Sequence, residues 1–407
     1  MNYFVLGESL PHTMSPEIHK ELGSDYGVKE VAKDELKDFV LSKKYCGFNV
    51  TVPYKVAIID LIDDVLGDAK EIGAINTVVN RDGKLYGYNT DIGGMVYALY
   101  MAGIDCKNKS VAILGTGGTS NTAFYAAKKL GAKTVFKVGR TSPINYENIY
   151  GLEINLIINT TPVGTFPDSD KCLVEIEKIK GLESVFDVVY NPLETELIRR
   201  AKKLGLKTGN GLRMLVEQAR LAENLFFDRE IPQTETERVL QKLYKEKKNI
   251  VLIGMPSSGK SSLAKIIAKT LNRELIDLDS EIVKEAGMEI PEIFEKFGEK
   301  YFRDLEEKIA VKFSSKFGVV IATGGGTVMR EKSFNALTRN GTLFYIKRDL
   351  QSLDSDGRPV SKLKGVEKIY LERKSTYEKA HYTVQNIGKL ESVAKEIIDI
   401  YEKNTRY

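Results

Sequence analysis

Ile250-Val251-Leu252-Ile253-Gly254-Met255-Pro256-Ser257-Ser258-Gly259-Lys260-Ser261 is an apolar run that passes directly into a glycine-rich loop ending in a lysine and a hydroxyl. The spacing G-x-x-x-x-G-K-[ST] is that of a Walker A loop, whose backbone N–H groups cradle the phosphates of ATP or GTP. Lys260 then neutralises the β- and γ-phosphates. Ser261 joins the shell of a Mg²⁺ ion, and Ser262 follows it in the first turn of the next helix. Such a loop needs a strand before it and a helix after it, so the stretch predicts an α/β domain with a central parallel sheet.

A second glycine loop lies upstream, where Val111-Ala112-Ile113-Leu114 leads into Gly115-Thr116-Gly117-Gly118-Thr119-Ser120. It reads as a dinucleotide-binding turn, with glycines that let the backbone approach a pyrophosphate at a helix N-terminus. The third glycine of G-x-G-x-x-G is replaced by Ser120. Strand 111–114, helix 120–130, Gly131, strand 134–138 and strand 154–159 then form a Rossmann half. Its second strand ends in Val138-Gly139-Arg140-Thr141, where an NAD-binding protein offers Asp or Glu to the ribose hydroxyls. Arginine pairs with phosphate and cannot accept a hydrogen bond, so NADP is favoured over NAD. The plain alternative is a surface arginine at a strand end.

At 407 residues the chain has room for two or three domains at roughly 150 residues each. Hydrophobic residues make up 42% and charged residues 29%, enough to bury full cores, and the net charge of +4 is too small to argue for nucleic acid. Cys46, Cys106 and Cys172 are an odd number at wide spacing, expected as reduced thiols of a cytoplasmic protein. The start carries no signal-peptide pattern and no apolar run reaches a membrane span, so no membrane partner is expected. His12, His19 and His381 have no cysteine partners at ligand spacing, which argues against zinc.

Apolar runs bounded by glycine alternate with amphipathic stretches. Residues 3–7, 46–52 and 75–79 are expected as strands, with helices at 15–22, 54–66 and 214–227. Four parts follow: residues 1–100 with about 212–237 as a substrate-binding and catalytic domain, 101–211 as a Rossmann-like NADP-binding domain, 238–248 as a linker, and 249–407 as the P-loop domain. The basic run at the linker is read as a solvated segment, nucleic-acid binding being the other reading. In the first part, Asn49-Val50-Thr51-Val52-Pro53-Tyr54-Lys55, Asn76-Thr77 and Asn89-Thr90-Asp91 place short polar motifs at strand ends, as a convergent site requires.

Those three motifs, with His12-Thr13-Met14-Ser15-Pro16, Gly73 to Thr77, Gly115 to Ser120, Asn159-Thr160-Thr161-Pro162 and Gly211 to Ala219, resemble shikimate dehydrogenase in family order over residues 1–237. The resemblance implies NADPH-dependent reduction of 3-dehydroshikimate to shikimate. Lys55 and Asp91 would be its catalytic pair, because a developing alkoxide needs a proton and an oriented ammonium can supply it. Thr13, Ser15, Thr51, Asn76 and Gln218 would bind the substrate, and Tyr190 would close the pocket. Gly115, Thr116, Gly117, Gly118, Thr119, Ser120, Gly139, Arg140, Thr141 and Gly211 would hold NADP(H). Three departures stand out. Thr13 replaces the family's serine, which leaves quinate open as a substrate. Gly139 replaces its asparagine, which leaves NAD open. The segment Leu22 to Lys33 is short.

Downstream of the Walker loop, Leu275-Ile276-Asp277-Leu278-Asp279, Phe302-Arg303-Asp304, Thr323-Gly324-Gly325-Gly326, Gly357-Arg358-Pro359 and Leu371-Glu372-Arg373 resemble shikimate kinase over 249–407. The implied activity is ATP-dependent phosphorylation of shikimate to shikimate 3-phosphate. Asp279 would orient the attacking hydroxyl, and Arg303 and Arg373 would clamp the carboxylate beside Gly324, Gly325 and Gly326. Gly254, Met255, Pro256, Ser257, Ser258, Gly259, Lys260, Ser261, Ser262 and Arg358 would bind ATP. Ser261 and Asp277 would serve the metal, Asp277 through water. The expectation is a bifunctional α/β enzyme, monomer or homodimer, joining two consecutive steps. Its rivals are a quinate-type oxidoreductase fused to another small-metabolite kinase and a nucleotide-gated module with degenerate sites.

Overall fold

The computed structural model describes residues 2–10, 13–352 and 365–407. It divides into two compact units, residues 1–240 and 241–407. The first unit contains two sheets. The first sheet draws on β1 (Tyr3–Gly7), β2 (Gly27–Glu30), β3 (Gly47–Val50), β4 (Asp64–Val65), β5 (Thr77–Arg81) and β6 (Lys84–Tyr88), in the order β2-β1-β3-β5-β6-β4. β5 runs antiparallel to both of its neighbours. Helices α1 (Ser15–Glu21), α2 (Leu36–Leu41), α3 (Tyr54–Ala57), α4 (Ala69–Ile72) and α5 (Asp91–Met101) lie between or after these strands.

The second sheet is wholly parallel, built from β7 (Ser110–Leu114), β8 (Thr134–Val138), β9 (Leu156–Asn159), β10 (Ser184–Asp187) and β11 (Lys207–Asn210) in the order β11-β10-β9-β7-β8. The chain winds outward in both directions from β7, so the loops leaving β7 and β9 open at a topological switch point, where doubly wound sheets bind ligands. Both faces are covered. Val111, Ile113, Leu156 and Ile158 pack on one side with Ala123, Ala126 and Ala127 of α6 (Gly118–Lys129), while Ala112, Leu114, Ile157 and Val185 pack on the other with Leu197, Ile198 and Ala201 of α7 (Glu196–Lys203). Burial on two faces is why these strands read as unbroken apolar runs.

Three expected elements differ. The stretch 54–66 is not one helix: α3 stops at Ala57, a single 3₁₀ turn covers Ile59–Leu61, and β4 follows. β-Branched Ile58, Ile59 and Ile62 favour that change, and pairing decides it: the Leu66 N–H donates to the Gly87 carbonyl at 2.8 Å and the Asp63 carboxylate accepts the Leu85 N–H at 2.7 Å. The helix expected from 214 starts at Gly211 as α8 (Gly211–Phe227), because the Asn210 side chain accepts the Leu212 N–H and caps it. The segment 238–248, expected as a linker whose Val239, Leu240 and Leu243 suit one side of a helix, is helical through Lys247 as part of α9 (Thr234–Lys247). Those three residues are buried, so only its reading as a separate solvated linker differs.

The second unit has one parallel sheet of β12 (Asn249–Ile253), β13 (Leu275–Asp277), β14 (Val320–Ala322), β15 (Gly341–Lys347) and β16 (Tyr382–Gln385), ordered β13-β14-β12-β15-β16. Alternate residues serve opposite cores: Val251, Ile253, Ile321 and Leu343 on one face, Ile250, Leu252, Val320 and Phe344 on the other. Helices α10 (Lys260–Leu271), α11 (Leu278–Ala286), α12 (Ile290–Ser314) and α13 (Glu331–Asn340) connect the strands. The turns leaving β12, β13 and β14 therefore emerge along one edge. No helix among the described residues is long and apolar enough to cross a membrane.

Candidate active sites

In the first unit, β3 ends at Val50, and Thr51 is held by its N–H on the Leu6 carbonyl at 2.9 Å. The short α3 then presents Lys55, whose carbonyl accepts the Ile75 N–H at 2.8 Å. Asp91 opens α5, in the first turn where the helix end is positive, and Lys55 Nζ donates to Asp91 Oδ2 at 2.5 Å. Asn76 lies beside this pair: its Oδ1 accepts the Thr90 N–H at 2.6 Å, and its Nδ2 reaches Thr90 Oγ1 at 2.9 Å and Gln218 Oε1 at 3.3 Å. Lys55, Asn76, Asp91 and Gln218 thus form one cluster, joined by Thr90, which sequence reasoning quoted but gave no role. Thr13 and Ser15 form a separate pair, with Oγ1 to Oγ at 3.2 Å. Tyr190 is half-buried three residues beyond β10, and its burial pushes the phenol up.

Lys55 also lines a cleft of about 630 Å³. The same cleft is lined by the glycine loop Gly115 to Thr119, by Gly139 and Arg140, and by Thr160, Thr161, Pro162 and Val163. Gly115 adopts φ 119°, open to glycine alone among common residues. Two expected ligand residues also carry structural duties. Ser120 is fully buried and donates to the Gly115 carbonyl at 2.7 Å, closing the turn. Gly211 is required by packing: a Cβ there would lie 1.8 Å from the Val188 carbonyl oxygen. Thr141 is exposed after β8. Tyr146 lines the cleft and escaped the sequence reading, while Thr160 and Thr161, quoted there in the Asn-Thr-Thr-Pro run directly after a strand, were given no role although they line it too.

In the second unit, Gly254 takes φ 143° and Ser257, a non-glycine, φ 61°. Lys260 is buried in the first turn of α10, with Nζ donating to the carbonyls of Gly254 at 3.1 Å and Met255 at 2.8 Å. The Met255 side chain belongs to the core, so only its backbone faces the loop. Asn386, not foreseen, braces the loop by donating to the Ser258 carbonyl at 2.7 Å. Ser261 and Ser262 are exposed. Asp277 caps α11, its Oδ1 accepting the N–H groups of Asp279 at 3.1 Å and Ser280 at 3.3 Å.

The triple glycine after β14 is a wall with three neighbours. A Cβ on Gly324 would lie 2.6 Å from Asp279 Oδ1, one on Gly325 2.7 Å from Pro256 Cδ, and one on Gly326 2.2 Å from Arg303 Nη1. Acid, Walker loop and arginine therefore meet at three successive residues. Glu306, buried and three residues after Arg303 on α12, accepts from Arg303 Nη1 at 2.6 Å and from Thr327 Oγ1 at 2.7 Å. Arg373 is buried on helix Val366–Tyr377, and Tyr377 at its end donates to the Gly325 carbonyl at 2.5 Å. Arg358 and His12 lie outside the described residues.

A dinucleotide cleft edged by a lysine–aspartate pair defines the first unit as a nicotinamide-dependent oxidoreductase, and the Walker loop facing an acid and two arginines defines the second as a P-loop kinase. Residues 5–78 match the family model described as shikimate dehydrogenase substrate binding domain, and residues 256–402 the one described as shikimate kinase. A shikimate dehydrogenase (NADP(+)) from Caldicellulosiruptor bescii is 36% identical over 255 residues, covering 55% of this chain and 88% of that protein. The chain belongs to the shikimate dehydrogenase family and carries a shikimate kinase domain in its second unit. Among solved structures, shikimate dehydrogenase 1 from Peptoclostridium difficile aligns with TM-score 0.56 at 34% identity, covering 59% of this chain and 97% of that one. Shikimate 5-dehydrogenase from Thermus thermophilus, in complex with NADP(H) and shikimate, aligns with TM-score 0.53 at 30% identity, covering 59% and 98%.

Proposed function

We propose that the first unit reduces 3-dehydroshikimate to shikimate with NADPH, and that the second phosphorylates shikimate with ATP. The carrying observation is Lys55: its ammonium is ion-paired to Asp91 and at the same time lines the glycine-loop cleft. Gly115 to Thr119 would hold NADPH, with Arg140 for its 2′-phosphate, and the bound cofactor would supply the hydride. The Lys55 ammonium stabilises the alkoxide that forms at the reduced carbonyl and gives it a proton, while Asp91 holds the ammonium in place. Asn76, Gln218, Thr51, Ser15 and Thr13 bind the hydroxyls and carboxylate of the substrate, and Tyr190 closes over it.

In the second unit Asp279 orients the 3-hydroxyl of shikimate, and Arg303 and Arg373 take its carboxylate. ATP supplies the phosphoryl group. Lys260 compensates charge at the phosphates, and Glu306 keeps Arg303 aimed. The donor set of Ser261 and Asp277, hydroxyl and carboxylate oxygens, suits the hard Mg²⁺ ion, with Asp277 acting through water. The chain acts on small molecules as a monomer or homodimer in the cytoplasm.

Purified protein given NADPH, 3-dehydroshikimate, ATP and Mg²⁺ is expected to form shikimate 3-phosphate. Lys55→Ala abolishes NADPH oxidation and spares phosphorylation of added shikimate; Lys260→Ala does the reverse. Absence of NADPH oxidation by the parent protein, or loss of both activities in either variant, would overturn the reading.

A further inference from the structure

Asp187 ends β10 and is fully buried, yet no step of the reaction uses it. Three donors converge on its carboxylate. Thr195 Oγ1 donates to one oxygen at 2.7 Å; Asn159 Nδ2 at 2.9 Å and the Val189 N–H at 3.1 Å donate to the other. Thr195 already accepts the Ile198 N–H at 3.3 Å as the cap of α7, so its own proton needs an acceptor elsewhere. A carboxylate, which only accepts, satisfies all three; an amide would turn an N–H₂ toward one of them. Burial pushes Asp187 up to about 6, with the three hydrogen bonds opposing that rise. Cys172 is close enough to feel its charge and is itself pushed up by burial.

What Asp187 holds is part of the cofactor cleft. Because Asn159 spends Nδ2 on Asp187, its Oδ1 faces Thr161, accepting the Thr161 N–H at 3.1 Å and Thr161 Oγ1 at 2.7 Å. Thr160 to Val163 wall the cleft beside the glycine loop. On the glycine side the same turn is pinned by Thr160, which donates to the Leu114 carbonyl at 2.7 Å and whose Oγ1 lies 2.6 Å from the place of a Cβ on Gly115. Asn159 pins the other side, and its amide is oriented from beneath by Asp187.

We propose that Asp187 is a positioning residue of the cofactor cleft: through Asn159 it sets the Thr160–Val163 turn against which the dinucleotide binds. The inference rests on the dinucleotide reading of that cleft. Two variants test it, Asp187→Asn, which places a donor against a donor, and Asn159→Leu, which keeps Asp187 and cuts the link. NADPH binding is read from its fluorescence, which no tryptophan of this chain obscures. Each variant is expected to raise the KM and Kd for NADPH about tenfold or more, since the wall of the site shifts, while the KM for 3-dehydroshikimate stays within about twofold. The unchanged KM for 3-dehydroshikimate reports an intact first unit, and phosphorylation of shikimate by the same preparation, which belongs to the second unit, stays at the parent level. If Asp187→Asn does not fold, Asn159→Leu decides alone. Variants with parent-like NADPH constants, or with equal losses for both substrates, overturn the role of Asp187. A parent protein that binds no NADPH overturns the cofactor reading instead.

Discussion

Gly326→Ala adds one carbon where the guanidinium of Arg303 now sits. That Cβ would stand 2.2 Å from Nη1, 2.8 Å from Cζ and 3.0 Å from Nη2. Gly326 has φ −102° and ψ −12°, so alanine fits the backbone and the conflict is wholly with the arginine tip. The tip belongs to a flexible side chain and can retreat by about 1 Å to ordinary contact distance, so stability should fall by no more than about 1 kcal/mol. Function should suffer far more. A charge-assisted hydrogen bond to a carboxylate is worth about 1.5–3 kcal/mol, and a positioning group displaced by about 1 Å costs up to about 100-fold. The shikimate KM of the kinase is therefore expected to rise between about tenfold and 100-fold, with the ATP KM close to that of the parent. Gly325→Ala supplies the contrast, because its Cβ would press on Pro256 of the Walker loop at 2.7 Å and should raise the ATP KM first. Steady-state kinase assays varying each substrate, with the reductase activity as an internal control, separate the two. An unchanged shikimate KM in Gly326→Ala, or the same pattern from both glycines, would refute the assignment of Arg303.

Gly211→Ala meets backbone rather than side chain, 1.8 Å from the Val188 carbonyl oxygen, so it should cost about 3 kcal/mol or more; calorimetry should show the first unit melting earlier while kinase activity survives. Asp187 gives a pH signature. Its carboxyl is raised from 3.8 to about 6 on folding, so it contributes stability below pH 3.8 that is lost as pH rises through 6, about 3 kcal/mol in all. Asp187→Asn lacks that dependence, and the denaturant-measured stability of the variant relative to the parent should improve between pH 5 and pH 7.5; a flat difference would show that the carboxyl is not raised.

Much of this was legible in the sequence because parallel strands buried on both faces leave unbroken apolar runs, and Val111–Leu114 and Ile250–Ile253 each end in a glycine loop of known spacing. Lys55 and Asp91 could be paired only by resemblance: they are 36 positions apart and meet because Ile75 bonds the Lys55 carbonyl. The stretch 54–66 misleads because Tyr54, Ile58, Ile62 and Val65 suit a helical face, whereas the hydrogen bonds that make β4 come from strand β6, some twenty residues on. Supporting polar groups were invisible for the same reason. Asn159 and Asp187 are separated by 28 positions, and Glu306 and Thr327 by 21, so no local pattern announces either pair. Glu306 stands three residues from Arg303, yet an acid at that spacing on a helix is ordinarily a solvated ion-pair partner.

Asp91 stands in the first turn of α5 as well as opposite Lys55. Its anion consequently has two hosts, one that can surrender a proton and one that cannot. In the proposed mechanism, the peptide dipoles of the helix end still face the carboxylate once the ammonium has released its proton to the reduced oxygen. The anion is not stranded in a dry pocket at the moment its partner becomes neutral, so nothing obliges it to recapture that proton.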